Sequence, residues 1–421
     1  MAQLSKSDRL GMLFNAYIKG LHKEMDLKYA LLNFFEKSKR EPEGDILKGS
    51  VYTGGNTSGQ PVSTDGGVIP DGGRFTTTEA SYEAKTQYVG LNITDDMFKY
   101  GEKSKAKYFD IIKTQFAHCT KTLEKMCSNA IRQWGAGVVA SFDGIPSGST
   151  SIQLHSAFYI VENKTYDVIN ATTGAVRGQI KPTTVYVDGT VDLESTVPTN
   201  TADNDYIAYQ GAYSTTISSQ LDPMGFQGLC DDDTIVASVG GLSSGTYGRY
   251  WSGNVNSSDG RAVNADPIFD TCNQIARRSG RPVESMICSV EFSSKLARQY
   301  ITDARFTKGD MQKAIGPGYA SLYIQAGDGV IEVISDGTHT GPVGTHGSVF
   351  LYNGVGVEFF EWFKPMWRAE TTPFGGGPVL HRSSSNFEYV GELLYTWNLA
   401  TFQRGGLGVV KTFDIVDQAK G

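Results

Sequence analysis

Apolar residues recur every three or four positions between residues 5 and 36, at Leu10, Leu13, Phe14, Tyr17, Leu21, Met25, Ala30, Leu31, Phe34 and Phe35. That spacing predicts an amphipathic helical arm. The charged stretch KSKREPEGD, with Pro42 and Gly44 as breakers, ends it. From residue 53 to 73 the sequence TGGNTSGQPVSTDGGVIPDGG carries no apolar period, and RFTTTEASYEAKTQYVGLNIT follows it with β-prone, roughly alternating residues. The pair predicts a long protruding hairpin, with a disordered linker as the alternative.

Thr94, Asp95 and Asp96 then offer an N-cap and two carboxylates that oppose a helix dipole. Phe109, Ile112, Phe116, Cys119, Leu123, Met126, Ala130 and Trp134 repeat at three and four, and Gly135 and Gly137 stop the pattern. A helix of about 40 residues results if Gly101 does not break it, well beyond the usual length. Lys103, Lys105, Lys107, Lys113, Lys121, Lys125 and Arg132 occupy much of its remaining surface. They form either a functional basic face or a plain solvated one.

Residues 141 to 262 change character, being rich in Thr, Ser, Tyr and Gly, with short β-like runs AFYIVE, TTVYV, DYIAY and TIVASV between turn residues. They predict a separate β-rich module. Beyond it, Asp266 as N-cap and Pro267 at the first helical position open a helix that Gly280 closes, with Phe269, Cys272, Ile275 and Ala276 as its buried stripe. VESMICSV, SSKLARQYI and GVIEVIS continue as strand, helix and strand, so this region alternates α and β. From Ser348 onward strand follows strand: SVFLYN, VEFFEW, FEYVGELLYTW and VVKTFDIV.

Composition narrows the function classes. The 421 residues suffice for two or three domain-sized units, and 49 glycines against 14 prolines imply many turns. No run approaches the roughly 18 apolar residues of a membrane helix, and MAQLSKSDRL has no signal-peptide core, so a cytosolic protein without a membrane partner is expected. Five scattered cysteines, with no CxxC pair, are expected as reduced, packed thiols. On a helix Cys119 and Cys127 would stand roughly 12 Å apart, too far for a disulfide. The net charge of −7 argues against a strongly nucleic-acid-binding surface. Residues 141 to 262 hold 13 Asp and Glu against 5 Lys and Arg, so the acidity is concentrated there.

Catalytic signatures fail on context. Gly135-Ala-Gly137-Val-Val-Ala140 matches a dinucleotide fingerprint on paper, yet it follows a helix where the fingerprint must follow a strand. Gly241-Leu-Ser243-Ser-Gly245 matches a nucleophile elbow after TIVASV, with His339, His346 and His381 downstream as bases, but TYGRYWSGN is a poor start for the required helix. A Gly/Ser turn is the default reading. Asp231, Asp232 and Asp233 offer oxygen ligands without the spacing of a calcium loop, and a solvated acidic turn is the default there. His339 and His346 lack a nearby third ligand. No metal and no cofactor is expected, and the chain reads as no enzyme.

The order of elements, and above all the stretch from Asp266 to Asn353 with GVIEVISDGTHTGPVGTHGSVFLYN, resembles the major capsid proteins of tailed bacteriophages, the Hong Kong 97-like fold. The resemblance covers about two thirds of the chain and rests on order and spacing. It implies an α+β fold with an N-terminal arm at 1–47, an extended loop at 48–93, and a peripheral domain at 94–140 and 346–421 that carries the long spine helix. It implies further an axial α/β domain at 263–345, with 141–262 as an insertion. The function implied is self-assembly into an icosahedral shell of hexamers and pentamers around a double-stranded DNA phage genome, built in the host bacterial cytoplasm and located in the virion capsid.

Several expectations follow from that resemblance. Phe14, Tyr17, Leu21, Met25, Val68 and Ile69 would make inter-subunit contacts, and Lys105, Lys113, Lys121, Lys125 and Arg132 would line the lumen. The type member of the fold cross-links through a lysine on the extended loop, but residues 52–73 contain none, so non-covalent locking or a cement protein is expected. The arm begins within ten residues of Met1, so scaffolding is expected from another chain, with a portal as a further partner. Two rivals stand beside this reading: an encapsulin-like nanocompartment shell with protein cargo, and a secreted β-rich hydrolase or adhesin that would use the GLSSG motif.

Overall fold

Leu47, Gly49 and Val51 alternate with Lys48, Ser50 and Tyr52, and this two-residue period turns one face of the strand inward and the other outward. The computed structural model describes residues 38, 40–56, 72–94, 105–144, 148–214, 219–257, 263–303, 322–326, 329–336, 348–368, 381–382 and 388–411. In chain order its elements begin with β1 (Ile46–Gly54), β2 (Thr76–Glu83), β3 (Lys85–Thr94) and helix α1 (Lys105–Arg132). Short strands follow as β4 (Val138–Ser141), β5 (Ser151–Gln153), β6 (Tyr166–Ile169), β7 (Val176–Ile180), β8 (Pro182–Val185), β9 (Thr190–Leu193), β10 (Tyr206–Tyr209) and β11 (Asn254–Ser257). Helices α2 (Asp266–Ser279) and α3 (Val290–Asp303) flank β12 (Ser285–Ser289). The remaining strands are β13 (Leu322–Ala326), β14 (Gly329–Asp336), β15 (Val349–Tyr352), β16 (Glu358–Trp367), β17 (His381–Arg382), β18 (Glu388–Ala400) and β19 (Leu407–Lys411).

Two compact units share these elements. The first takes its described residues from Ala84–Ser128 and Phe359–Asn398. In it β18 pairs antiparallel with β3 from Glu388 opposite Thr94 to Trp397 opposite Lys85, and β16 and β17 complete the sheet. The apolar stripe of α1 packs on this sheet, with Phe116 edge-on to Trp367 at 4.9 Å. Buried Gln87 satisfies three partners at once: its Oε1 accepts from the Cys127 thiol at 3.1 Å and from the Trp397 indole at 3.2 Å, and its Nε2 donates to the Met126 carbonyl. One amide thereby supplies the polar groups that burial would otherwise leave unpaired.

The second unit, Lys39–Glu83, Asn129–Glu358 and Leu399–Gly421, holds the last residues of α1 and three further sheets besides the β1–β2 hairpin. Its six-stranded sheet runs β11-β19-β15-β12-β14-β13. Pairs β11–β19 and β12–β14 are parallel, and the other neighbours antiparallel. Helices α2 and α3 bury Ile268, Ile275, Phe292 and Leu296 against Met286, Val333 and Leu351 of this sheet. Helix α2 starts at Asp266 with Ala265 as its N-cap, one residue earlier than expected, and closes as expected at left-handed Gly280. Its buried face holds Ile268 and Thr271 beside the expected Cys272 and Ile275, while Phe269 is only partly covered.

The expected module at 141–262 divides. Residues 138–209 form two small antiparallel sheets, β4-β10-β6-β7 and β5-β9-β8, around their own core of Phe142, Leu154, Tyr166, Val168, Val191 and Ile207. Residues 229–257 are stitched instead to the six-stranded sheet: β11 joins it as an edge strand, and Asn254 donates to the carbonyls of Gly405 and Leu407. Strands β15 and β19, expected in the peripheral part from 346 onward, also lie in this sheet. Two predicted strands are absent because local groups capture their backbone. In AFYIVE the amide of Val161 donates to the Tyr166 hydroxyl, and in TIVASV the amides of Ile235 and Val236 donate to the Asp231 carboxylate.

Candidate assembly site

The β1–β2 hairpin is the element that the sequence offers for contact with other chains. It is antiparallel from Ile46 opposite Glu83 to Gly54 opposite Thr76. Leu47, Val51, Ala80 and Tyr82 point inward and are buried. Toward the outer end the aromatic surface turns out: Tyr52 is 68% and Phe75 65% exposed, and their rings meet edge-on at 6.1 Å. Two large apolar groups held together in water form the kind of surface a partner covers. The sequence carried this signal, since Tyr52 falls on the outward phase of a strand whose inward phase is Leu47, Gly49 and Val51.

The expected contact residues Phe14, Tyr17, Leu21, Met25, Val68 and Ile69 lie outside the described residues, as does the expected cap at Asp95 and Asp96. Lys105 and Lys113 fall on α1, but their side chains are likewise outside the description. Lys121 and Lys125 are exposed four residues apart, on the side of α1 that also exposes Thr114 and His118. Arg132 departs from the expected basic face: it is 1% exposed and donates to the Tyr159 hydroxyl at 2.5 Å. The last turn of α1 enters the core that Trp134, Ala136 and Val138 continue, so its outer side is covered and its cation is tied to a phenol.

The acidic triplet is a solvated turn only at Asp232, which is exposed. Asp231 is fully buried and accepts from the amides of Ile235 at 2.7 Å and Val236 at 2.9 Å, from the Thr234 hydroxyl at 2.9 Å, and from the Lys411 ammonium at 3.5 Å. Asp233 takes Arg404 at 2.9 Å and the amide of Ser244. Protein donors fill these carboxylates, and among the described residues no group of three His, Cys, Asp or Glu is arranged to hold a metal ion. Ser243, the serine of the GLSSG motif, has an extended backbone at φ −105 and ψ 141 and precedes a single helical turn. An elbow nucleophile needs a strained strand-to-helix turn, and neither that turn nor the preceding strand is present at Ser243. Cys119, Cys127, Cys230, Cys272 and Cys288 are all buried and form no disulfide. Burial pushes the thiol of Cys119 up to about 11 and those of Cys230 and Cys272 up to about 12, far from nucleophilic character.

No protein-family model matches the sequence, and no curated protein is significantly similar to it. Solved structures do match. A chain of the cyanophage A-1(L) capsid asymmetric unit superposes with a TM-score of 0.52 at 11% identity, over 91% of each chain. Mycobacterium phage Ogopogo follows with a TM-score of 0.44, 9% identity and 91% of each chain. The holo-SrpI encapsulin complex from Synechococcus elongatus gives 0.37 and 7%, over 92% of this chain and 88% of its own. By the cyanophage match the chain has the α+β fold of a phage major capsid protein.

Proposed function

We propose that this chain is the repeated subunit of a phage capsid, and that it works by self-association and not by catalysis. The observation that carries this reading is the match to a cyanophage capsid chain over 91% of both chains. A fold by itself hosts many functions, and the exposed Tyr52–Phe75 pair adds support from this chain's own surface. In this reading the arm at 1–47 and the loop at 48–93 reach across neighbouring copies in hexamers and pentamers. Phe14, Tyr17, Leu21, Met25, Val68 and Ile69 are buried there, by many contacts each modest alone. Lys105, Lys113, Lys121 and Lys125 line a lumen filled with double-stranded DNA, and the acidic module faces outward, where it does not repel the genome. A lysine-free stretch from 52 to 73 leaves the shell locked without covalent cross-links, with scaffolding, portal and cement functions supplied by other chains.

Electron microscopy of the purified full chain tests this. Uniform closed shells are the expected result, and nuclease-resistant DNA inside them separates a genome shell from a compartment with protein cargo. A chain that stays monomeric at every concentration and salt condition overturns the proposal.

A further inference from the structure

A two-stranded hairpin is marginal in water on its own, so the orientation of β1–β2 must be set by what it rests on. Its supports come from far away in sequence. The ring of Phe402 is enclosed on three sides. The Arg40 guanidinium lies 4.2 Å from its centroid, the Tyr82 ring meets it edge-on at 5.8 Å, and the bare Cα of Gly49 closes the third side. Any side chain at position 49 would enter the ring. Arg40 is held in turn by Glu358 at 3.2 Å, and Tyr82 donates its hydroxyl to the Thr401 carbonyl at 2.7 Å. One aromatic residue thus rivets the chain just before the hairpin to both of its strands.

A second support comes from the segment that carries the serine motif. The Ser81 amide donates to the Gly240 carbonyl at 3.0 Å. Gly240 has φ +59, and a Cβ there would press on Tyr82 and Ala80 at 2.9 to 3.1 Å, so both backbone and space demand glycine. Ten residues on, the Tyr250 hydroxyl accepts from the amide of Gly55, one residue past the end of β1. The stretch from Gly240 to Tyr250 therefore meets the hairpin at β2 and again beyond β1.

We propose that Phe402 and residues 240–250 form a saddle that fixes the direction of the hairpin in the isolated subunit, so that its exposed aromatic end is aimed before it meets a second copy of this chain. The inference rests on the reading of the hairpin as an assembly element. An arm already held in its docked direction loses less freedom on binding, and a saddle made from distant segments makes that direction depend on the completed fold.

Hydrogen exchange on the dilute, unassembled full chain tests the saddle without reference to shells. Phe402→Ala and Gly49→Ala should each raise exchange across β1 and β2 about tenfold or more while β12 and β15 keep their protection. The double variant should add nothing beyond either one, because each removes the same contact. Tyr250→Phe deletes a single half-exposed hydroxyl and leaves the core alone. It should raise exchange only around residues 52–55. Unchanged hairpin exchange in Phe402→Ala overturns the saddle; should that variant unfold throughout, unchanged exchange at 52–55 in Tyr250→Phe overturns it instead. A wild-type chain that never forms particles sinks the shell reading and leaves these exchange results standing.

Discussion

The guanidinium of Arg404 meets the carboxylate of Asp233 at 2.9 Å across 171 residues of sequence, with no solvent exposure of its own. It donates as well to the carbonyls of Leu229, Asp231 and Trp251. Asp233 holds its place in the left-handed region at φ 74, which Asp tolerates better than most residues. A planar donor fork buried among fixed acceptors is what makes such a group worth its desolvation.

Replacing Arg404 with Ala or Met should destabilise the second unit by about 3–5 kcal/mol, because buried acceptors lose their donors together. Lys at this position should recover little, since an ammonium cannot span the same acceptors. Denaturant midpoints of the full chain measure this, and a loss under about 1 kcal/mol for Ala refutes the anchor.

Tyr52→Ala with Phe75→Ala should leave stability within about 0.5 kcal/mol, as both rings are mostly exposed. Particle formation followed by light scattering should fall sharply under the conditions in which wild type assembles. Normal assembly of the double variant refutes a role for the pair in contacts between copies.

Lys121→Glu with Lys125→Glu exchanges two exposed cations for anions and should likewise leave the fold intact. If these lysines face packaged DNA, particles of normal size should form and retain less nuclease-protected DNA. Equal DNA content refutes that placement.

Alkaline pH should weaken the fold. Burial raises the Tyr82 phenol well above its ordinary value of 10.0, and lifts the Cys230 and Cys272 thiols to about 12 and the Cys119 thiol to about 11 from an ordinary 9.0. The unfolded chain loses these protons first, so stability is complete below about pH 9 and declines as pH climbs toward the folded values. The Tm should fall between pH 8.5 and 11 by calorimetry, roughly in the range where these groups titrate. A flat Tm across that interval contradicts the burial of these protons.

Periodicity made the regular parts of the fold readable. The alternation in β1, the apolar stripe of α1, and the Gly280 stop all appear in sequence because burial of one face repeats with the element's own period. What stayed hidden depends on partners far along the chain. TIVASV has the composition of a strand, yet the Asp231 carboxylate takes its amides. Arg132 continues a run of cations but sits in the turn of α1 that the core swallows. Of the candidate assembly site, the outward phase of Tyr52 was legible, whereas Phe402 and Gly240 became its neighbours only through folding.

Strands β4 and β10 lie side by side, with Ser141 opposite Tyr206, and the apolar core at 138–209 is built within that stretch, met from outside at Tyr159 by Arg132 and at Tyr206 by Trp134. The chain leaves the rest of the second unit and returns to it at nearly one place. An element attached in this way can be enlarged, exchanged or removed in evolution while the six-stranded sheet keeps its strand order. For an engineer the exposed turn between β8 and β9, where Val187 is 82% exposed, is a place at which a foreign peptide could be carried.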